Sequence, residues 1–341
     1  MLRELSVIVD GRPLVPPRSG IGVHTAEIAR RLAVSPPPLI ASHAEITNKD
    51  GIESCRFRVD RAPNGILWQQ FLLPRIADAD VLWGPHGTIP LALRIPAVVT
   101  LHDFSSITMP GRHLLKTVVS FDLFIGKSLE RARRVAAVSK AIAEDAVRGF
   151  GVSRSRIEII PNGVDDFFQP GDADRDCILF VGTLEPRKGI DDLIAVWLSL
   201  PEPRPGLVLC GERGWRVRVP SGVEVTGWVD RERLRALYQQ ARIFVYPSRY
   251  EGFGIPPLEA MACGAPVIAT RTGAIPEYAD GAALLIDAGD RDGLRDAMLK
   301  LLRDEPLRRD LAARGIERAK KYRWDRSAQL MTELLWQAAR E

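Results

Sequence analysis

The stretch Glu251-Gly-Phe-Gly-Ile-Pro-Pro-Leu-Glu259 directs the interpretation of the whole chain. It follows Ala241-Arg-Ile-Phe-Val-Tyr246, a short apolar run with β-branched and aromatic residues that predicts a buried strand. The two glycines let the backbone approach a ligand, and the two prolines suit the opening of a helix predicted over Leu258–Cys263. A strand, a glycine-rich loop and a helix N-terminus in this order form a favourable anion site.

Two carboxylates bracket this loop, which suggests that both face one ligand. Glu251 lies in the loop itself, and Glu259 lies in the first turn of the predicted helix. The helix dipole alone also favours an acidic residue in a first turn. Taken by itself, the stretch therefore fits a ligand site and a plain strand-to-helix crossover equally well.

The composition is that of a soluble globular protein. The chain has 341 residues, of which 46% are hydrophobic and 26% charged, so two domains are expected. A net charge of +4 is far from the basic character of a nucleic-acid binder, and no nucleic-acid partner is expected. No signal peptide precedes Leu5–Val9, and no apolar run reaches the roughly 20 residues that span a bilayer. We expect a cytoplasmic protein.

The four cysteines do not form a CxxC pair, which argues against a disulfide framework and a zinc site. Three of them, Cys177, Cys210 and Cys263, lie in or beside apolar segments. We expect buried thiols in a reducing compartment.

Strand-like apolar runs alternate with amphipathic segments, which predicts parallel α/β topology with ligands beyond the carboxyl ends of the strands. His102 stands at such an end, although a histidine there is more often structural. Gly20 and Gly22 precede a helix predicted over Val23–Leu32, but the GxGxxG dinucleotide fingerprint is absent because position 25 is threonine.

A second α/β series follows a segment rich in Asp, Gly and Pro over Asp165–Asp176, which predicts a linker. Its first strand is predicted over Cys177–Thr183, and the next loop contains Arg187 and Lys188. Two adjacent cations there could neutralise a diphosphate or could form a solvated basic loop. We predict an N-terminal domain over 1–166, a C-terminal domain over 167–322, and a final helix over 323–341 that crosses back to the first domain.

Residues 109–134 combine apolar and basic side chains in a helical pattern. This pattern fits a core-facing helix with a solvated basic face, and equally a surface that binds anionic lipid headgroups.

Six motifs in order resemble the family 4 glycosyltransferases, over residues 5 to 325 approximately. They are Ser19–Gly22, Leu101–Asp103, Ile160–Val164, Val181–Gly189, Glu251–Glu259 and Gly273–Glu277. The resemblance implies the α/β GT-B architecture: two Rossmann-like, doubly wound parallel-sheet domains that face each other across a cleft. It also implies a nucleotide-sugar donor bound mostly to the second domain, with the N-terminal domain on the side of the acceptor.

The resemblance implies roles for individual residues. Glu259 would accept hydrogen bonds from the donor ribose, and Glu251 would contact the donor sugar. Arg187 and Lys188 would stabilise the leaving diphosphate, so that neither a metal ion nor a cofactor is required. His102 would lie near the transferred sugar. The remaining donor-binding positions implied are Gly22, Gly182, Thr183, Gly211, Trp228, Gly252, Phe253, Gly254 and Ile255.

One departure from the family pattern narrows the expected substrate. Thr183 follows Gly182 where many members carry arginine, a form that resembles a subgroup rich in mannosyl- and rhamnosyltransferases. The resemblance therefore implies a retaining transferase that moves a mannose-type hexose from a nucleotide-diphosphate sugar, with a GDP-sugar favoured over a UDP-sugar. The acceptor would be a glycan or a lipid-linked glycan, at the inner face of the cell membrane.

Three alternatives remain open at this stage. A nucleotide-sugar epimerase or a phosphorylase can use a similar two-domain frame, and so can a non-catalytic nucleotide-sugar-binding protein. The joint presence of Glu251, Glu259, Arg187, Lys188 and His102 argues against the non-catalytic alternative. The missing fingerprint disfavours a nicotinamide dehydrogenase.

Overall fold

The computed structural model describes residues 3–16, 19–104, 124–214 and 217–341. The chain forms two compact units. Unit 1 comprises Met1–Gly163 with Trp324–Glu341, and unit 2 comprises Val164–Arg323. The sequence interpretation placed the divisions after residues 166 and 322, and the structure places them after residues 163 and 323.

Unit 1 is built on a seven-stranded parallel sheet. Its strands are β2 (Val7–Asp10), β4 (Leu39–Ser42), β5 (Arg56–Val59), β6 (Val81–Gly84), β7 (Ala97–Leu101), β8 (Arg134–Ala137) and β9 (Ile157–Ile159). The short strands β1 (Arg3–Glu4) and β3 (Val34–Ser35) pair separately. The order β5-β4-β2-β6-β7-β8-β9 reverses direction between β2 and β6. Every residue of β2, β6 and β7 is buried, as expected for central strands covered on both faces.

The described residues of unit 1 form the following α-helical segments before the end of the sheet. They are α1 (Gly20–Ala29), α2 (Gly65–Leu67, a π-helical turn Trp68–Leu72, then Leu73–Ile76), α3 (124–131) and α4 (Lys140–Phe150). The prediction that α1 begins at Val23 was wrong: Gly20 and Gly22 are helical, with Ser19 as the N-cap. Glycine is tolerated in a first turn, where few intrahelical hydrogen bonds exist to be weakened.

Unit 2 is built on a six-stranded parallel sheet. Its strands are β10 (Cys177–Val181), β11 (Gly206–Cys210), β12 (Val223–Gly227), β13 (Ala241–Tyr246), β14 (Val267–Thr270) and β15 (Leu284–Ile286). The order β12-β11-β10-β13-β14-β15 is the doubly wound arrangement, which reverses between β10 and β13. The predicted parallel α/β topology is confirmed. Open sheets of this kind bind ligands beyond the carboxyl ends of the strands at the reversal point.

The described residues from 164 onward form the remaining α-helices of the fold. They are α5 (Ile190–Leu198), α6 (Arg231–Gln240), α7 (Ile255–Ala262), α8 (Ile275–Ala279), α9 (Arg291–Arg303), α10 (Glu305–Ala319) and α11 (Trp324–Arg340). Helix α7 begins at Ile255, before the predicted start at Leu258, so that both prolines lie in its first turn. The motif segment Gly273–Glu277 includes the beginning of α8.

Helix α11 belongs to unit 1, where it packs against α1 and strands β6, β7 and β8. Its hydrogen bonds include Ser327 Oγ to the carbonyl oxygen of Pro161. Met331 and Leu335 on this helix are fully buried. The last helix of the chain therefore closes one face of the first sheet.

The four cysteines are buried free thiols, which confirms the prediction for Cys177, Cys210 and Cys263. In the part of the chain that the structure describes, no helix is both long and apolar enough to cross a membrane. Of the predicted basic region 109–134, residues 109–123 lie outside the described residues. Helix α3 buries Ile125 and Leu129 and exposes Lys127, Glu130 and Arg131. Its described part therefore has an apolar inner face and an outer face that carries two basic side chains and one acidic side chain.

Candidate active site

The reversal point of the unit 2 sheet brings together two residues that are far apart in the sequence. Lys188 follows β10 in the short 3₁₀ turn Pro186–Lys188, and Glu251 follows β13. Lys188 Nζ lies 2.6 Å from Glu251 Oε1. Both residues are buried, with 9% and 7% of their surface exposed. The two central strands thus present an ion pair at the edge where doubly wound sheets bind ligands.

Two hydroxyl groups complete this ion pair. Glu251 Oε1 accepts hydrogen bonds from Ser248 Oγ at 2.6 Å and from the Tyr246 hydroxyl at 3.1 Å. Lys188 Nζ donates to the same Tyr246 hydroxyl at 2.9 Å. Burial alone would raise the pKa of Glu251, but the charges of Lys188 and Arg187 and the donated hydrogen bonds lower it overall. Glu251 is therefore ionised at neutral pH.

Arg187 is fixed beside the pair. Its guanidinium donates to Glu185 Oε1 at 2.8 Å and to the carbonyl oxygen of Tyr250 at 3.0 Å, and it lies 3.6 Å from Glu251 Oε1. The positive charges of Arg187 and Lys188 are thus balanced by the carboxylates of Glu185 and Glu251. Lys188 is buried, so the alternative of a solvated basic loop is wrong for this residue. An incoming diphosphate would have to compete with Glu185 and Glu251 for the cations.

The loop before α7 concentrates backbone donors at one helix end. Pro256 and Pro257 carry no N–H, so the donors at this end come from residues 252–255. Gly254 has φ +80°, a conformation that favours glycine, and its carbonyl oxygen accepts from the Tyr278 hydroxyl at 2.7 Å. The hydrogen bond from Tyr278 therefore fixes the loop, and the backbone N–H groups of residues 252–255 lie at the N-terminus of α7.

The motif Gly273–Glu277 braces this loop. The Ala274 N–H donates to the Gly252 carbonyl oxygen at 3.1 Å. A Cβ on Gly273 would lie 2.1 Å from the carbonyl oxygen of Glu251, so that no other residue fits there. This motif has a structural role, as a support for the glycine-rich loop.

Gly182 and Gly211 directly follow the adjacent strands β10 and β11. A Cβ on Gly211 would lie 2.1 Å from the Gly182 carbonyl oxygen, which shows how closely the two backbones approach. Thr183 is exposed next to them. Trp228, which follows β12, exposes 73% of its surface. Each of these four predicted donor-binding residues lies at or just beyond the carboxyl end of its strand.

Glu259 lies in α7, one turn beyond the loop, and is half-buried. Its Oε2 atom accepts a hydrogen bond of 2.8 Å from the hydroxyl of Tyr238 on α6. Tyr238 is fully buried, and burial together with the nearby Glu259 raises its pKa well above the ordinary value. The tyrosine remains a donor and fixes the carboxylate. No local sequence signal pointed to this contact, because it joins two helices.

The two predicted residues of the N-terminal half, Gly22 and His102, both belong to unit 1. His102 Nε2 lies 2.8 Å from the carbonyl oxygen of Pro85 and must donate to it, which leaves Nδ1 as an acceptor. Burial lowers the pKa of His102 to about 4, so the ring is neutral at pH 7. His24 packs edge-on against this ring at 4.7 Å and contacts Asn162 at 2.7 Å. The sequence interpretation missed these two supporting residues.

Among the described residues, no group of three or more His, Cys, Asp or Glu side chains is placed to hold a metal ion. The charged side chains described above for the candidate site of unit 2 are those of Arg187, Lys188, Glu185, Glu251 and Glu259.

Comparison with known proteins relates both halves of the chain to one enzyme class. Residues 164–318 match the family described as glycosyl transferases group 1, and residues 18–166 match glycosyltransferase family 4. The O-antigen chain mannosyltransferase B of Escherichia coli is 30% identical, over 94% of this chain and 97% of the relative.

Solved structures show the same fold. Sucrose-phosphate synthase from Thermosynechococcus elongatus superposes with a TM-score of 0.76 at 22% identity, over 98% of this chain and 99% of that chain. Anabaena HepE, solved in complex with UDP-glucose, gives a TM-score of 0.80 at 18% identity, over 98% of this chain and 100% of that chain. The chain is a glycosyltransferase of GT-B fold and belongs to glycosyltransferase family 4.

Proposed function

We propose that this protein is a cytoplasmic, retaining mannosyltransferase of surface-polysaccharide synthesis. It would move a mannose-type hexose from a GDP-sugar to a hydroxyl of a glycan or lipid-linked acceptor. The observation that carries the proposal is the buried Lys188–Glu251 pair at the reversal point of the unit 2 sheet. The name of the Escherichia coli relative, a mannosyltransferase of an O-antigen chain, supports the choice of sugar and pathway class.

The donor nucleotide would bind to unit 2 along the carboxyl ends of its strands. Glu259, oriented by Tyr238, would accept hydrogen bonds from the two ribose hydroxyls. Trp228 exposes an indole ring and backbone beside β12, where the base would lie. The N–H groups of residues 252–255 would hold the diphosphate at the entrance of α7.

The two cations would stabilise the leaving group. As the glycosidic bond breaks, negative charge develops on the diphosphate, and Lys188 and Arg187 would transfer their hydrogen bonds from carboxylates to phosphate oxygens. Preorganised cations in a buried site can supply this stabilisation, so the proposed reaction uses no metal ion. Glu251, released in part from Lys188, would then accept a hydrogen bond from a hydroxyl of the donor sugar.

The configuration at the anomeric carbon would be retained, because the acceptor hydroxyl would attack that carbon on the same face from which the diphosphate leaves. A phosphate oxygen of the leaving diphosphate would take the proton of the acceptor hydroxyl. Glu251 is not proposed as a covalent nucleophile, because several donors already share its Oε1 atom, including Lys188, Ser248 and Tyr246. Hydrogen bonds of this kind stabilise the charged form and reduce its reactivity. The neutral ring of His102 would accept a hydrogen bond from a sugar hydroxyl at Nδ1.

Peripheral attachment to the inner face of the cell membrane is part of the proposal. The exposed basic residues of α3 and the following turn, among them Lys127, Arg131 and Arg133, could approach anionic headgroups. Sedimentation with liposomes that contain anionic lipid tests this directly. Absence of binding at low salt would leave the basic face of α3 as a solvated surface.

A transfer assay tests the reaction. The protein is incubated with GDP-mannose, UDP-glucose, ADP-glucose or dTDP-rhamnose, with and without a mannose-terminated oligosaccharide, and products are analysed by mass spectrometry and NMR. We expect GDP release and an α-linked mannose only when the acceptor is present. Conversion of the donor alone would indicate an epimerase, and a strict need for inorganic phosphate would indicate a phosphorylase. Nucleotide binding without turnover of any donor would support a non-catalytic binder.

The ribose role of Glu259 is tested by calorimetry. Glu259→Ala should weaken GDP binding about 10- to 100-fold, since a hydrogen bond to a charged group contributes about 1.5–3 kcal/mol. Glu317→Ala is the matched control, because Glu317 lies on an exposed face of α10 in a surface ion pair with Lys320. Equal affinity in wild type and Glu259→Ala would refute the assignment.

A further inference from the structure

A basic cavity lies at the end of the unit 2 sheet opposite to the candidate active site. It has a volume of about 410 Å³ and lies where β13 and β14 begin, beside the first turns of α10. Its lining, among the described residues, contains four arginines, Arg175, Arg242, Arg308 and Arg309, and one carboxylate, that of Glu305. The length of β13, about 20 Å for six residues, separates this cavity from the loop that carries Glu251. The cavity is therefore distinct from the proposed donor region.

The carboxylate of Glu305 balances only one of the four arginines. Its Oε1 atom lies 2.5 Å from Arg309 Nη2, in an ion pair whose side chains are both exposed. Asp304, the residue before it, acts on Arg308 through its charge, but its Oδ1 atom caps α10 by accepting from the Leu307 N–H at 2.9 Å. The positive charge of the cavity thus exceeds the negative charge around it.

The other three arginines bind backbone carbonyl oxygens. Arg175 donates to the carbonyl oxygen of Ala241 at 3.0 Å and to that of Cys263, at the end of α7, at 3.1 Å. Arg308 and Arg242 both donate to the carbonyl oxygen of Leu302 at the end of α9, at 3.2 Å and 3.5 Å. Carbonyl groups at a helix C-terminus carry only a partial negative charge. These contacts orient the guanidinium groups without neutralising them.

The arginines are also crowded and partly withdrawn from water. Arg175, Arg242 and Arg308 are half-buried. Burial and, after it, the charge of Arg242 lower the pKa of Arg308, and burial lowers the pKa of Arg175. A guanidinium nevertheless stays protonated at neutral pH, so the like charges persist. Arg242 Nε is buried and has no hydrogen-bond partner among the residues that the structure describes.

We propose that this cavity binds a phosphate group, carried either by a small molecule or by a lipid headgroup. A phosphate group has nearly two negative charges at neutral pH and three acceptor oxygens, which match several guanidinium groups at once. Guanidinium groups bind phosphate through pairs of parallel N–H donors. A neutral ligand would leave the like charges of Arg242 and Arg308 uncompensated. The proposal is independent of the donor and acceptor proposed for the transfer reaction.

Two probes test the site and separate the two sources of phosphate. The full chain is mixed with inorganic phosphate, or with vesicles of phosphatidylcholine that contain phosphatidic acid, and followed by thermal unfolding and hydrogen exchange. Sodium chloride at equal ionic strength is the reference, because screening acts on every surface charge. We expect a saturable rise in the unfolding temperature of unit 2, with slower exchange in residues 263–266 and 305–312.

The pattern of responses identifies the source. A response to inorganic phosphate would indicate a small phosphorylated ligand, and a response to the vesicles alone would indicate a lipid headgroup. No response to either probe would overturn the proposal. Slower exchange confined to residues 252–255 would also overturn it, because the phosphate would then lie in the donor region.

Arg242→Gln removes one guanidinium from the cavity. Its printed hydrogen bond is long, at 3.5 Å, so the fold should be retained. We expect the affinity for the phosphate probe to fall about 10-fold or more, as for the loss of a hydrogen bond to a charged group. Arg314→Gln is the matched control, because Arg314 lies on the same unit in an exposed ion pair with Asp310. Equal losses in the two variants would show a response to net charge alone and would contradict the site.

Ala312→Glu supplies an anion from the protein itself. Ala312 lines the cavity one helical turn after Arg308, and glutamate is a good helix former. We expect a higher unfolding temperature without phosphate and loss of the response to phosphate. Ala313→Glu, at the exposed neighbouring position, should retain the response of the wild type. A full phosphate response in Ala312→Glu would place the anion elsewhere and refute the proposal.

Discussion

At the scale of single residues, the central finding is that the two cations proposed to stabilise the leaving group are already paired with carboxylates. Lys188 shares Glu251 Oε1 with two hydroxyls, and Arg187 binds Glu185. A buried lysine without a partner would lose its proton, because burial disfavours the charged form. Burial lowers the pKa of Lys188, and the charge and the hydrogen bond of Glu251 counteract that shift. Glu251 therefore favours the charged form of Lys188 until a phosphate replaces it. Its first role is to maintain the cation, and its contact with the sugar would follow.

Because Lys188 and Glu251 are paired, replacing both residues should restore stability without restoring activity. Lys188→Met should destabilise unit 2 by about 3 kcal/mol, because buried Glu251 would lose its directly bonded cation and keep only the more distant Arg187 as a counter-charge. It should also lower turnover by about 10²–10³, the loss expected for one donor to a developing charge. Lys188→Met with Glu251→Gln should recover the unfolding temperature but not the turnover.

The matched control is Lys320→Met. Lys320 pairs with Glu317 on the surface of α10, where an exposed ion pair contributes at most about 1 kcal/mol. Thermal unfolding and single-turnover rates provide the two measurements. Recovery of turnover in the double variant, or near-normal turnover in Lys188→Met, would remove the lysine from the chemistry.

At the scale of secondary-structure elements, the site depends on close approach of strand ends. Gly211 has φ +147° and faces the Gly182 carbonyl oxygen, while the Gly182 N–H donates to the Cys210 carbonyl oxygen at 2.9 Å. The ends of β10 and β11 can meet only because no side chain separates them. The loop that carries Arg187 and Lys188 begins at this contact.

Two substitutions, one at the start of β11 and one directly after its end, test whether the close approach of the ends of β10 and β11 stabilises unit 2. Gly211→Ala should destabilise unit 2 by about 2–4 kcal/mol, through an unfavourable φ and a clash with backbone. Gly206→Ala at the other end of β11 should change stability little, since a Cβ there meets nothing within 4 Å. Urea unfolding followed by hydrogen exchange of unit 2 peptides provides the comparison. Similar effects of the two variants would show that the strand ends can separate freely.

At the scale of the whole molecule, the last helix completes the first unit. Helix α11 follows unit 2 in the sequence and packs on α1 and on β6, β7 and β8. Stability of unit 1 thus depends on residues that follow unit 2 in the sequence. This arrangement makes unit 1 discontinuous in sequence although it is continuous in space.

Hydrogen exchange can test this dependence on the last helix. Leu335→Ala, at a fully buried position, should destabilise unit 1 by about 2–5 kcal/mol. We expect faster exchange in β6, β7 and β8, more than 190 residues upstream in the sequence. Leu301→Ala, at a fully buried position of α9 in unit 2, is the control and should accelerate exchange in residues 164–323 instead. Faster exchange of unit 2 in Leu335→Ala would contradict the assignment of α11 to unit 1.

The sequence by itself determined the parallel α/β class, the family and the two strands beside the candidate site, Cys177–Val181 and Ala241–Tyr246, because apolar runs of strand length and glycine-bearing loops leave a local pattern. The entrances of α1 and α7 were predicted too late, since glycine and proline resemble loop residues although both are accepted in a first turn. Glu251 and Glu259 were identified from their spacing, and Lys188 from its loop.

Only the tertiary structure decided what these residues contact. It joined Lys188 to Glu251 across 63 positions and set Tyr238 against Glu259. The physical reason is that strand order determines which loops become neighbours, and a reversal of that order leaves no periodicity along the chain. The charge state of a buried group depends on those neighbours.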